Sequence, residues 1–348
     1  MIRSDLQAIP SYKPGARNPD AVKLSSNEST HPPLPAAVEA MQQAAQGANR
    51  YPDMAAVDLK DALAKHLQLD SEQIAVGTGS SALCQQLVLA TAKPGEEVIL
   101  PWRSFEAYPI FVQVVGATPV QIPLTGEHGV DLKAMADAVT DKTRLIFVCN
   151  PNNPTGSTVT RAEFEEFLDA VPQDVVIALD EAYYEYNNAA DTPVATDYLD
   201  RPNIVGLRTF SKAYGLAGAR MGYAFGNPLL IEAIDKVSIP FSASALAQSA
   251  AIASLQDQNE LQKRVEETQE QRDVLEKELA AYGVPHSEAN LIWVPAENIA
   301  DQGTPQEIAE RLTENGVVVR AFSEGIRITA TTEEETQTFL KAWRKVVA

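Results

Sequence analysis

From residue 56 to residue 225, short aliphatic runs alternate with helix-like stretches, and no other feature of the chain restricts its fold so tightly. The runs are Ile74–Val76, Glu97–Leu100, Pro119–Ile122, Arg144–Cys149, Val175–Leu179, Asn203–Leu207 and Gly222–Phe225. Helical spacing marks Ala56–Leu67, Ser80–Thr91, Phe105–Val115 and Arg161–Ala170. This rhythm predicts an α/β fold with a parallel sheet and helices on both faces. In such a doubly wound sheet ligands collect outside the carboxyl ends of the strands.

The flanks differ. Residues 1–34 read as an irregular arm rich in Pro, Ser and Asn, with Tyr12-Lys13-Pro14-Gly15 and the run from Lys23 to Glu28 as its distinctive pieces. A helix is expected over Pro35–Gln46, ended by Gly47, and Pro52 holds Tyr51 extended. After Pro240 a long amphipathic tract, 243–280, precedes a small α+β remainder with strands at Leu291–Val294, Val317–Arg320 and Ile326–Ala330 and helices at Pro305–Asn315 and Glu333–Val347. The expected organisation is an arm over 1–34 that packs with the small domain, a large domain over 35–240 and a small domain over 241–348.

Charge narrows the partners. A formal net charge of -19 disfavours nucleic acid and anionic lipid. No apolar run approaches the roughly 18 residues needed to span a bilayer, and the first residues lack a signal-peptide core, so a cytoplasmic setting is the expectation. Only Cys84 and Cys149 are present, each in an apolar run, which suits reduced buried thiols and neither a disulfide framework nor a metal site.

The chemistry centres on Lys212. An apolar strand and Thr209 and Ser211 precede it, and a Gly-rich turn leading to Arg220 follows. Partial desolvation lowers a lysine's pKa, and the neutral amine is the form that attacks a carbonyl. Gly77-Thr78-Gly79-Ser80-Ser81 lies between a strand and a helix, a geometry that suits a phosphate monoester or a plain turn. It matches neither a Walker loop nor a dinucleotide fingerprint. Two further strand ends run into Asn150–Gly156 and Asp180–Tyr183. A carboxylate at Asp180 requires a cation or several donors, and a core arginine would also serve. An amine able to form an imine, a phosphate cradle with an arginine, a buried carboxylate and an Asn and Tyr for a phenolic oxygen together match pyridoxal 5'-phosphate. In that reading Asp180 holds the pyridine nitrogen, Asn153 and Tyr183 hold the ring oxygen, and Gly79, Ser80, Ser211 and Arg220 hold the phosphate.

In motif and order the chain resembles the fold-type I pyridoxal-phosphate-dependent aminotransferases of the histidinol-phosphate aminotransferase-like group. The resemblance rests on Lys23–Glu28, Arg50-Tyr51-Pro52, Asn150–Gly156, Asp180–Tyr183, Thr209–Gly215 with Arg220, and Gly325–Thr329. It implies the α/β fold type I, a mostly parallel doubly wound sheet of seven strands with a smaller α+β domain. It also implies that Lys212 is the Schiff-base lysine and proton shuttle, that Phe105 stacks on the pyridine ring and that Arg327 binds the substrate carboxylate. A core role for Phe105 and a cross-strand ion pair for Arg327 are the plainer alternatives. Ser81 and Thr209 join the implied cofactor contacts, and Asn27, Tyr108 and Arg320 the substrate contacts. Tyr51 would reach the cofactor phosphate of a neighbouring subunit, which implies a homodimer.

The chain departs from the histidinol-phosphate pattern at Asn27-Glu28-Ser29-Thr30-His31-Pro32-Pro33 and at Trp102–Tyr108. The second segment, with Ser80–Gln86 and Val205–Lys212, looks more like the actinobacterial phenylalanine (aromatic) aminotransferases. The expected reaction is therefore ping-pong amino transfer between an aromatic amino acid and 2-oxoglutarate. Histidinol phosphate is the alternative substrate, for which Arg320 and Arg103 are the available cations. A cofactor-keeping sensor domain and a fold-type I lyase or decarboxylase are the other readings.

Overall fold

A computed structural model describes residues 2–12, 15 and 18–347. Of the Tyr12–Gly15 piece, Lys13 and Pro14 lie outside the described residues. The arm contributes β1 (Val22–Lys23), and α1 (Pro35–Ala45) and α2 (Val57–Leu67) lead into the sheet. Its first half runs β2 (Ile74–Gly77), α3 (Ser80–Thr91), β3 (Glu97–Trp102), α4 (Ala107–Val114), β4 (Thr118–Pro123) and α5 (Leu132–Asp137). The second half runs β5 (Thr143–Cys149), α6 (Arg161–Ala170), β6 (Val176–Asp180), β7 (Ile204–Thr209), β8 (Gly222–Gly226) and α7 (Pro228–Lys236). Two helices, α8 (Ala245–Gln256) and α9 (Gln258–Glu278), then replace the single tract read from sequence. The chain closes with β9 (Leu291–Pro295), α10 (Pro305–Glu314), β10 (Val317–Val318), β11 (Arg320–Phe322), β12 (Gly325–Thr329) and α11 (Glu333–Val346).

The large sheet has seven strands in the order β2-β8-β7-β6-β5-β3-β4. β8 runs antiparallel to both of its neighbours, and the remaining pairs are parallel. Because strands such as β5 and β7 are buried on both faces, they read as continuous apolar runs. One face carries a core built around Leu63, Ile146, Phe164 and Leu179, and the other a core around Leu87, Tyr108, Phe147 and Leu207. α6 begins where Thr160 and Glu163 satisfy each other's backbone N–H groups in a capping box.

The C-terminal unit has its own core, with Leu275, Ile292, Ile326, Phe339 and Trp343 around the sheet β11-β12-β9. Leu24 of the arm belongs to it, and β1 pairs with β10. The run Val317–Arg320, read as one strand, is therefore two, β10 paired with the arm and β11 with β12. The expected boundary at residue 240 does not follow the packing. α8 lies against α1 and α2, and its Ala247, Ala250 and Ala251 share the core of the large unit.

Candidate active site

The ends of β2, β5, β6 and β7 bring their following loops to one cavity of about 130 Å³. Ser80, Ser81, Phe105 and Asn153 line it, together with Asp180, Tyr183, Thr209, Ser211, Lys212 and Arg220. Cys149 and Ala182, which motif reasoning passed over, complete the wall. Both neighbour residues that were singled out, and their position at a strand end was the available signal.

The phosphate-sized end is built from backbone. Gly79 has φ +82°, and a Cβ there would collide with the Arg220 guanidinium. α3 starts at this glycine without a side-chain cap, so the N–H groups of Ser80 and Ser81 have no acceptor among the described residues. Arg220 donates to Ser211 Oγ at 3.2 Å and to the Thr78 carbonyl at 3.2 Å, tying the two loops together. Orphaned N–H groups beside a guanidinium form an anion site.

Asp180 ends β6 at 4 % exposure. Its carboxylate accepts from the Tyr108 hydroxyl at 2.5 Å, from the Ala182 N–H at 3.1 Å and from the Cys84 thiol at 3.8 Å. Among the described residues no cation pairs with it, so the core-arginine alternative does not hold. Arg208 instead pairs with Glu181 at 2.8 Å, and Glu181 also accepts from the Ala195 N–H, which fixes the turn that follows β6. Burial pushes the Asp180 carboxyl above its ordinary value, and the Tyr108 hydroxyl opposes that shift. Burial likewise pushes the Cys149 thiol up to about 12, so it stays neutral beside the amine.

Burial, and next the charge of Arg327, lowers Lys212 to about 8. Its Nζ donates to the Ser26 carbonyl of the arm at 3.3 Å and lies 5.7 Å from the centre of the Tyr183 ring. The Tyr183 hydroxyl accepts from Asn27 Nδ2 at 2.8 Å, and Asn27 in turn is clamped by Thr329. Arg327, on β12, is 7 % exposed. It donates to Asn153 Oδ1 at 2.6 Å and to the Ser25 carbonyl at 2.5 Å, while its Nε has no partner. Among the described residues no carboxylate pairs with it, which removes the cross-strand ion pair.

Two expected substrate contacts fall elsewhere. The substrate role expected for Tyr108 is corrected, because its ring is fully buried, stacked on Phe147 at 4.3 Å, with its hydroxyl spent on Asp180. Arg320 does not line the Lys212 cavity; it pairs with Glu106 at 2.7 Å and faces a neighbouring cavity. Tyr51 lies outside the cavity, 82 % exposed, with its ring 4.7 Å from that of Phe241.

A lysine amine, a set of unbonded helix N–H groups beside a guanidinium and a buried carboxylate thus meet in one cavity at the strand ends of this fold. The chain belongs to the family of class I and II aminotransferases, which it matches over residues 19–342. It is 59% identical to the aromatic amino acid aminotransferase of Corynebacterium glutamicum (strain R), with all of both chains covered. It is 53% identical to the enzyme of the same name from Rhodococcus jostii, covering 97% of this chain and 94% of that one. Among solved structures, the histidinol-phosphate aminotransferase of Sinorhizobium meliloti in complex with pyridoxal 5'-phosphate superposes with a TM-score of 0.90 at 30% identity, covering 99% of this chain and 97% of that one. The aspartate aminotransferase of Thermus thermophilus with maleate gives 0.87 at 26% identity, with 99% of each covered. No helix among the described residues is long and apolar enough to cross a membrane.

Proposed function

We propose that this chain is a pyridoxal-phosphate-dependent aromatic amino acid aminotransferase that passes amino groups between an aromatic amino acid and 2-oxoglutarate. One observation carries the reading. Asp180 and Arg327 are buried charges of opposite sign, neither in an ion pair among the described residues, and burying an unpaired charge is costly. A protonated pyridine nitrogen satisfies the first and a substrate carboxylate the second. The cofactor fits the residues present, since the cradle at Gly79, Ser80, Ser81, Ser211 and Arg220 would take its phosphate, and Asn153 and Tyr183 its ring oxygen. Phe105 would cover the ring face, with Thr209 near its lower edge.

When bound, pyridoxal phosphate supplies an aldehyde and an electron sink. The protein does the rest. Lys212, lowered to about 8, has a neutral fraction at physiological pH that can hold the aldehyde carbon and, once released, move the proton at the substrate Cα. Arg327 orients the carboxylate through its planar fork. The arm excludes water through Asn27 and the Ser26 carbonyl.

The aromatic preference is supported by the names of the relatives at 50–59% identity. The fold similarity to a histidinol-phosphate aminotransferase favours the second reading, that substrate class. Absorbance titration of the holoenzyme separates them: spectral change at low phenylalanine with little response to histidinol phosphate supports the proposal, and the reverse overturns it. A homodimer with Tyr51 reaching the neighbouring phosphate is part of the proposal. Tyr51, Met54, Ile239 and Phe241 are 82%, 62%, 73% and 42% exposed, and the last three border one surface hollow. An exposed apolar patch of this kind suits a second copy. The buried thiols Cys84 and Cys149 suit the cytoplasm.

A further inference from the structure

Beside the Lys212 cavity lies a second, of about 490 Å³, between the end of β3, α4 and β11. The two adjoin at Phe105, which lines the first and whose ring is 6.5 Å from that of Tyr12 in the second. Trp102, Tyr12 and Phe322 give the second cavity aromatic walls, and Arg103 and Arg320 face it. Arg327 lies close by, as the cross-strand neighbour of Arg320 on β11 and 5.8 Å from the Phe322 ring.

Both arginines of the second cavity are already engaged. Arg320 donates to Glu106 at 2.7 Å, in a pair whose side chains are 14% and 27% exposed. Arg103 grips Glu324 through Nε and Nη2 at 2.8 to 3.2 Å, and its guanidinium lies 4.2 Å from the Trp102 ring centre. Three cations, Arg103, Arg320 and Arg327, thus stand against two carboxylates, Glu106 and Glu324. Of these three arginines, Arg327 alone has no carboxylate within ion-pair distance among the described residues. The second cavity therefore offers a side chain no unpaired cation among the described residues, and the distal carboxylate of 2-oxoglutarate would have to compete with Glu106 or Glu324 for its arginine.

We propose that Glu106, by neutralising Arg320, determines which substrate side chains the second cavity accepts, admitting an uncharged aromatic ring and turning away one that ends in a phosphate. The inference rests on the aromatic aminotransferase reading above. A phosphate reaching Arg320 must sit against the Glu106 carboxylate, whose pair with Arg320 is partly buried, and like charges so placed repel. A ring against Trp102, Tyr12 and Phe322 meets no such obstacle and gains aromatic contact. Discrimination here comes from a repulsive element as much as from an attractive one. Glu106 is a positioning residue, since it acts through Arg320.

The test uses the holoenzyme and two unreactive probes, 3-phenylpropionate and 4-phosphonobutyrate, titrated calorimetrically into the wild type, Glu106→Gln and Glu106→Ala. Both variants are expected to shift the ratio of the two affinities about tenfold toward the phosphonate. The ratio of kcat/KM for phenylalanine over histidinol phosphate should fall by a similar factor. Glu324→Gln, on the more exposed pair, should shift the ratio less. A wild type that prefers histidinol phosphate overturns the aromatic reading and the proposal with it. A preference for phenylalanine that survives both Glu106 variants, with the two probe affinities moving in parallel, overturns the proposal alone.

Discussion

The two neighbouring cavities hold the same kinds of charged side chain and use them in opposite ways. Around Lys212, Asp180 and Arg327 are buried and neither forms an ion pair among the described residues. In the second cavity Arg320 and Arg103 each have a carboxylate within hydrogen-bond distance. Matched pairs complete a surface, whereas unmatched buried ions are groups whose partners arrive with a ligand. On the proposed reading, chemistry belongs to the first cavity and selection to the second.

The most direct way to break that contrast is at the amine. Lys212→Ala should lower kcat by roughly 10⁴-fold or more, since one group both holds the cofactor and moves the proton; steady-state turnover with phenylalanine measures it, and near-normal turnover would remove Lys212 from the centre. Arg327→Ala comes next, with a loss of about 2 to 5 kcal/mol in kcat/KM for every amino acid, mostly through KM. Arg327→Lys should recover only part, because an ammonium lacks the planar fork.

Tyr108→Phe sharpens the comparison, because it removes a donor from an unmatched ion. It should cost about 1.5 to 3 kcal/mol of stability in denaturant unfolding. Because the Tyr108 hydroxyl lowers the Asp180 carboxyl, the variant should move the acid limb of the activity profile to higher pH.

The unmatched ions also give the chain without cofactor a defined pH response. Lys212 is lowered from 10.5 to about 8, so between those values the unfolded chain binds more protons than the folded one. Its contribution to stability therefore rises with pH across that window. Asp180 is raised above 3.8, so the folded chain binds more protons just above that value and its contribution falls as pH rises. Capture of added pyridoxal phosphate should accelerate as pH rises through about 8 and then level, and a flat profile would contradict a lowered Lys212. The smallest effect is expected at the matched, partly exposed Arg103–Glu324 pair, where Glu324→Gln should change stability by less than about 1 kcal/mol in thermal unfolding.

The residues of the first cavity were readable because short motifs at strand ends carry them. Asn153, Asp180, Tyr183 and Lys212 each follow an apolar run, and the parallel sheet brings such ends together whatever lies between. Tyr108 was misread because the face of α4 on which it lies is set by packing against Phe147, not by spacing. α5 escaped notice because it has only six residues, whereas α7 opens on Pro228 behind an Asn227 cap, a start signal that was available in the sequence. The split of Val317–Arg320 into β10 and β11 depends on a partner strand at Val22–Lys23, far away in the chain.

Local periodicity and strand-end motifs were thus enough, in the sequence alone, to determine the α/β order, the helix starts at Ser80 and Arg161 and the motifs that line the first cavity. Only the tertiary structure decided which charges are matched. Whether Arg320 or Arg327 is paired depends on Glu106 lying 2.7 Å from the one while no carboxylate among the described residues comes within ion-pair distance of the other. Ion pairing falls off over a few ångströms between groups far apart in the chain, and no local pattern encodes it.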